Sequence, residues 1–195
     1  MKPREAIVRK VAESIEIKRQ FFEENATRIA DMCQLMARRF LDGKKLFVMG
    51  NGGSACDALH VAVEFKHPII EKRRPFPVEA LMTDIATTSA ISNDLDFSRI
   101  FVNQLRLLGQ RDDMALAIST SGKSPNLIYA LQAARERGMM TIALSGKDGG
   151  RLPEVAEYCF TVPSFSIHRI QEVHATMIHV LWDMIHVAIG EEDVI

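Results

Sequence analysis

His60 and Glu64 stand four residues apart in the run Ala58-Leu59-His60-Val61-Ala62-Val63-Glu64-Phe65, a spacing that puts an imidazole and a carboxylate on one face of a helix. A carboxylate among Val61, Ala62, Val63 and Phe65 is partly withdrawn from water, the setting that suits a general base. The same spacing also serves a structural His-Glu pair. A second chemical feature is the loop Ser119-Thr120-Ser121-Gly122-Lys123-Ser124-Pro125, which offers four hydroxyls within six positions just before a helix. Hydroxyls and free amides at a helix N-terminus form a socket for one phosphate monoester, although Ser124 can also be read as a simple helix cap. A third is the turn Gly50-Asn51-Gly52-Gly53-Ser54. Gln171, His174, His179 and His186 interrupt an apolar final helix; at about 100° per residue, His174 and His179 diverge by roughly 140°, so both cannot serve one site. Spacing alone does not choose between them.

These groups need a frame that brings distant segments together. Lys45-Leu46-Phe47-Val48-Met49 and Met114-Ala115-Leu116-Ala117-Ile118 are short apolar runs suited to buried parallel strands. The patterning predicts strands near 45–50, 78–83, 114–119, 140–145 and 158–163, and helices near 54–66, 84–92, 97–108, 124–137 and 167–188. Residues 4–42 read as two helices, broken near Asn25-Ala26-Thr27 and closed at Asp42-Gly43. The alternation predicts an α/β fold, a parallel sheet covered by helices on both faces, with ligand bound beyond the strand carboxyl ends. The last helix carries Ile170, Val173, Met177, Ile178, Val180, Leu181, Trp182, Met184, Ile185 and Val187, so apolar groups surround its axis. Such a helix calls for burial on all sides, and a homo-oligomer is expected to provide it.

At 195 residues a single domain is expected, and a net charge of -1 argues against a nucleic-acid or membrane surface. Arg73-Arg74, with Lys66 and Lys72, reads as a solvated loop. No signal-peptide core or membrane-length apolar run occurs, and Cys33, Cys56 and Cys159 form neither a disulfide framework nor a C-x-x-C zinc pair, which fits a cytoplasmic protein. Cys56, near a helix N-terminus that can favour a reactive thiolate, is read as a small buried side chain. Gly50 to Ala55 matches G-x-G-x-x-G/A, but the acidic residue after the next strand, Asp84, lies roughly thirty residues on rather than the roughly twenty of a dinucleotide site. Gly122-Lys123-Ser124 imitates a Walker A ending, yet Ala117 occupies the position of its first glycine.

The segments Gly50-Asn51-Gly52-Gly53-Ser54-Ala55-Cys56-Asp57-Ala58-Leu59-His60, Ile118 to Ser124, Gly146-Lys147-Asp148-Gly149-Gly150 and Arg169-Ile170-Gln171-Glu172-Val173-His174 resemble the sugar isomerase (SIS) domain and, within it, the phosphoheptose isomerase family. The resemblance implies a flavodoxin-like three-layer αβα sandwich over 43–195 with a five-stranded parallel sheet, preceded by an N-terminal helical extension over 1–42 at the interface of a homotetramer whose sites lie between subunits. It implies that Asn51, Gly52, Gly53, Ser54, Glu64, Asn93, Asp94, Ser119, Thr120, Ser121, Ser124 and Gln171 bind substrate. By the same resemblance Glu64 is the base and His179 its acid/base partner, which favours His179 over His174, and His60, Glu64, Gln171 and His179 surround one zinc ion per subunit. The implied reaction is the aldose-ketose conversion of sedoheptulose 7-phosphate to D-glycero-D-manno-heptose 7-phosphate, the entry to ADP-heptose synthesis. A noncatalytic branch of the superfamily, which binds the bacterial replication initiator, resembles the loops but lacks the pattern of His60, Glu64 and His179. Two positions depart from the isomerases: His168 stands where many have an acidic residue, and Lys66-His67-Pro68 replaces a Gly-Arg turn.

Overall fold

The computed structural model describes residues 2–69 and 72–193. Helix α1 (Pro3–Leu41) leads into β1 (Leu46–Gly50), α2 (Gly53–Lys66), β2 (Val78–Ala80), α3 (Ile85–Asp94), a 3-10 turn (Phe97–Arg99), α4 (Ile100–Leu108), β3 (Met114–Ile118), α5 (Pro125–Glu136), β4 (Met140–Gly146), α6 (Leu152–Val155), β5 (Tyr158–Val162) and α7 (Ile167–Ala188). The five strands are all parallel, in the order β2-β1-β3-β4-β5. The three central strands β1, β3 and β4 are buried throughout, as their near-continuous apolar sequences require of strands covered on both faces. Leu46, Val48, Leu116, Ile142 and Phe160 face one layer with α1, α2 and α7; Phe47, Met49, Ala115, Ala117 and Ala143 face the other with α4, α5 and α6. The expected αβα sandwich is present.

From β1 the chain crosses through α2 on one face, and from the adjacent β3 through α5 on the opposite face. The two connections diverge at Gly50 and Ile118, which are register partners, so a crevice opens at the carboxyl ends of β1 and β3. Both candidate loops begin there.

The two predicted N-terminal helices are one helix of 39 residues. Nothing in Asn25-Ala26-Thr27 forces a break: Asn25 Nδ2 donates to the Phe21 carbonyl one turn back at 2.8 Å, and the apolar face continues through Ile29, Met32, Cys33, Met36, Ala37 and Phe40. Neither Gly nor Pro interrupts it after Pro3, and asparagine and threonine cost a helix only tenths of a kcal/mol, roughly, relative to better formers. Phe40 stacks on Phe76 with ring centroids 4.5 Å apart and on Phe65 at 5.8 Å, fastening the end of α1 to α2. Each such buried ring contributes about 1.5–3 kcal/mol by leaving water.

Helix α7 is covered more fully within one chain than its sequence suggests. The long α1 lies along it and α2 beside it, so Ile170, Val173, Met177, Ile178, Leu181, Trp182 and Ile185 are all buried, and only Val180, Met184 and Val187 remain half-exposed. An exposed apolar stripe sits on the first turns of α1, where Ile7, Val8, Val11 and Ile15 are 55–63% exposed. Three local expectations also change. β2 stops at Ala80, whose carbonyl accepts from both the amide and the hydroxyl of Thr83 at 3.2 and 3.0 Å in a turn, and Asp84 then caps α3 by accepting from the Thr87 amide at 2.9 Å. Arg73 is buried, not solvated, because Asp183 and Glu191 face its guanidinium at 3.2 and 3.7 Å. Cys56 is exposed, since it projects from the outer side of α2, and no described cysteine is paired. Among the described residues no helix is long and apolar enough to cross a membrane.

His174 is a core histidine: its Nε2 lies 3.1 Å from the Ser145 carbonyl, and burial pushes its pKa down to about 4. The unfolded chain, with a histidine near the usual 6.5, therefore binds more protons between those limits, so this group favours the fold above about pH 6.5 and that advantage drains away as pH falls towards 4. By pH 5 the loss is about 2 kcal/mol. Urea unfolding at pH 7 and pH 5 should show this drop, and His174→Gln should flatten it; an equally steep dependence in the variant would place its origin elsewhere.

Candidate active site

The turn from β1 into α2 is shaped by backbone. Gly52 has φ +55°, and a Cβ on Gly50 would lie 2.2 Å from the Ser54 carbonyl oxygen, so a side chain at either position would oppose the turn. Ser54 is buried in the first turn of α2. Asn51 exchanges two side-chain hydrogen bonds with Asn126, its amide donating at 3.0 Å and accepting at 2.8 Å. This reciprocal pair joins the glycine turn to the start of α5. Sequence reasoning missed Asn126; an amide directly after the Pro125 that opens the helix was the available signal.

The hydroxyl loop is held from within and from one side. The buried Ser119 accepts from the Gly122 amide at 3.1 Å, and Ser121 accepts from the Lys123 amide at 3.3 Å. Gly122, at φ +64°, packs backbone to backbone against the 146–150 loop, where a Cβ would meet the Gly149 carbonyl oxygen at 1.9 Å. Thr120, Ser121 and Ser124 are half-exposed towards the crevice side of the loop, and Ser124 makes no side-chain capping bond, so its hydroxyl is not consumed by α5. Pro125 occupies the first turn of α5, leaving free amides and partial positive charge at its mouth. A cavity of about 260 Å³ between Asn51, Ser124, Asn126 and the turn at Asp96 to Ser98 adjoins this loop.

The titrating groups converge where α2 and α7 lie side by side. His60 Nε2 is 3.2 Å from Glu64 Oε1 and 3.2 Å from His179 Nε2, with the two imidazole rings edge to face at 4.9 Å. One ligand atom from each of the three residues lies within 4.8 Å of the others. Two imidazoles and a carboxylate at this separation form a donor set of the kind that can hold a metal ion. His174 and His186 turn elsewhere: the first faces Ser145, and the second places Nδ1 and Nε2 against the carbonyls of Trp182 and Arg74 at 2.7 and 3.0 Å.

Gln171, two turns before His179 on α7, sets its Nε2 against Gly53, where a Cβ would lie 2.3 Å away. It also lines an open cavity of about 360 Å³ with Asp57, His168, Glu172 and Ala175. Asp57, three residues before His60, was not foreseen as part of this region. Burial raises its pKa, opposed by the nearby His60, and its Oδ2 is buried without a hydrogen-bond partner. The i, i+3, i+7 spacing of Asp57, His60 and Glu64 was the sequence signal. Asn93 and Asp94 end α3 in exposed positions, with Asn93 Nδ2 donating to Asp94 Oδ1 at 2.8 Å, rather than beside the histidines of their own chain.

The SIS domain family model matches residues 11–146. A phosphoheptose isomerase of Thermodesulfovibrio yellowstonii is 42% identical over 173 residues, 89% of this chain and 86% of that one. A solved phosphoheptose isomerase from Francisella tularensis superposes with TM-score 0.91 at 34% identity, covering 96% of this chain and all of the other; one from Neisseria gonorrhoeae gives 0.87 at 36%, covering 94% and 98%. With the sandwich, the two loops and the imidazole-carboxylate cluster in place, the chain belongs to the SIS-domain phosphosugar isomerases, in the phosphoheptose isomerase family.

Proposed function

We propose that this protein interconverts sedoheptulose 7-phosphate and D-glycero-D-manno-heptose 7-phosphate, the step that commits a seven-carbon sugar to ADP-heptose, in the cytoplasm. The observation that carries this reading is the convergence of His60, Glu64 and His179 in a member of this family. The hydroxyls of Ser119, Thr120, Ser121 and Ser124, with the α5 amides, take the phosphate; an anion at such a helix mouth gains about 0.3–1 kcal/mol from the dipole, so the individual hydroxyl contacts must supply most of the selectivity. Asn51, Gly52, Gly53 and Ser54 close the same end of the cleft, and Gln171 orients the sugar from α7. Glu64 removes a proton from C1 of the opened ketose and returns it to C2. His179 moves protons at the carbonyl and hydroxyl oxygens. Each positioned proton-transfer group is worth on the order of 10² to 10⁴ in rate.

His60, Glu64 and His179 are the residues of one chain that would hold a zinc ion, Gln171, whose amide lies against Gly53, joining them only from a neighbouring copy; when bound the ion supplies Lewis-acid polarisation of a carbonyl at that point. Glu64 then has two duties. A carboxylate committed to a metal is a weaker base, so His60, which also contacts Glu64, becomes important in keeping one of its oxygens directed to the substrate.

The working unit in this reading is a homotetramer with sites between subunits. Eleven residues separate Gly53 from Glu64 along α2, about 16 Å of helical rise, so one chain's loop and carboxylate are widely spaced. Asn93 and Asp94 are exposed and free to meet a neighbouring copy. The apolar stripe of Ile7, Val8, Val11 and Ile15 gives the copies a surface to bury. Light scattering should return four chains, and Val11→Glu with Ile15→Glu should lower that number; a monomeric wild type would remove the shared-site arrangement.

Incubation with sedoheptulose 7-phosphate should generate the aldose, and a chelator should suppress the conversion. Binding of the sugar phosphate without conversion would instead identify a noncatalytic binding module. Glu64→Gln should abolish turnover while retaining sugar-phosphate affinity; undiminished turnover would exclude it as the base. Ser121→Ala should do the reverse, weakening binding by about 1–3 kcal/mol if it leaves a buried phosphate oxygen unpaired, with the catalytic groups intact.

A further inference from the structure

Glu64 lies in the last turn of α2, which ends at Lys66. In a continuing helix its carbonyl would accept from the amide of residue 68, but residue 68 is proline and has no N–H, and the chain has already left the helix at His67, with φ -135° and ψ 73°. The carbonyl is met from another helix instead. Trp182 of α7 donates its indole Nε1–H to the Glu64 carbonyl oxygen at 2.9 Å.

The donor is itself held in place. The Arg73 guanidinium carbon sits 4.4 Å from the Trp182 ring centroid, while its nitrogens reach Asp183 Oδ1 at 3.2 Å and the Glu192 carbonyl at 3.1 Å. The His186 ring packs 4.7 Å from the indole. Trp182 is 6% exposed and Arg73 8%, so the clamp works inside the protein, where a cation over an indole face is least screened. Trp182 also follows His179 by three residues, placing it one turn further along α7. The indole hydrogen bond therefore connects the helix that carries His179 to the backbone of Glu64 itself.

We infer that Trp182, clamped by Arg73, is a positioning residue for the isomerase site: it supplies the hydrogen bond that Pro68 denies to the Glu64 carbonyl and so sets the placement of Glu64 relative to His179. An apolar ring could fill the same space. Only an N–H aimed at this carbonyl fixes the backbone of the residue whose carboxylate must be placed. The inference rests on the isomerase reading above and adds a residue to it that touches neither sugar nor metal.

Trp182 is the one tryptophan of the chain, which makes the bond observable without mutation. Zinc titrated into the metal-depleted full-length protein should change the indole emission and saturate at one ion per chain. Trp182→Phe keeps a ring under Arg73 but removes the N–H. It should lower kcat or zinc affinity, measured by competition with a chromophoric chelator, by about 10- to 100-fold, the range for supporting partners of metal ligands, with KM nearly unchanged. Should that variant fail to fold, Arg73→Gln, which loosens the clamp and spares the N–H, should give the same pattern in weaker form. Wild-type kcat and zinc affinity in Trp182→Phe, or an indole emission indifferent to zinc that binds, would overturn the inference alone. A wild type that converts no sugar phosphate would overturn the isomerase reading and this inference with it.

Discussion

The contact between α2 and α7 on one face of the sheet is the constraint on which the rest depends. It is the only reason that residues 119 positions apart, His60 and His179, bring ring nitrogens to 3.2 Å. Nothing local to either helix would do this. α2 is placed because it must leave β1 through a glycine turn and pack Ala58, Val61, Ala62 and Phe65 onto the sheet; α7 is placed because Val173, Met177, Ile178, Leu181 and Ile185 pack onto that same layer. Burial thus sets the helices and leaves their partly exposed flanks to meet as a pair of chemical surfaces. Polar and titratable groups at this seam cost little desolvation, since His60 and Glu64 keep part of their exposure and His179 is exposed.

At the other end of the cleft, close backbone approach does the work that side-chain packing does in the core. The loops after β3 and β4 lie near enough that Gly122 and Gly150 cannot carry a Cβ without meeting each other's main chain, and Gly50 cannot carry one without meeting the Ser54 carbonyl of its own turn. The Ser119 hydroxyl spends its acceptor on the Gly122 amide, which fixes the bend that presents Thr120 and Ser121.

Much of this was readable from residue order. Apolar runs followed by Gly or hydroxyl clusters mark β1, β3 and both loops, because buried parallel strands leave few other options for such sequences, and the alternation of patterns places the other three strands. His60 and Glu64 were paired by helical spacing alone. What the sequence left open was tertiary. Spacing could exclude His174 and His179 from sharing a site, but only the packing of α7 shows His174 turned into the core towards Ser145. Weak helix formers at Asn25-Ala26-Thr27 read locally as a break, whereas the apolar stripe that crosses them outweighs their small cost. Arg73 was assigned to solvent by its charge; its partners Asp183 and Glu191 lie more than a hundred residues on, and no local pattern announces them. Asn126 stayed hidden for the same reason, its partner being Asn51.

The Asn51–Asn126 bridge has a corollary for acidity. Each amide both gives and accepts, and neither group titrates, so the tie between the two loops is the same at any pH at which the protein is folded. An aspartate at either place would have tied the two loops with a strength that varies with its own protonation. With amides there, the tie carries no protonation state of its own, while two imidazoles and the Glu64 carboxylate gather where α2 meets α7.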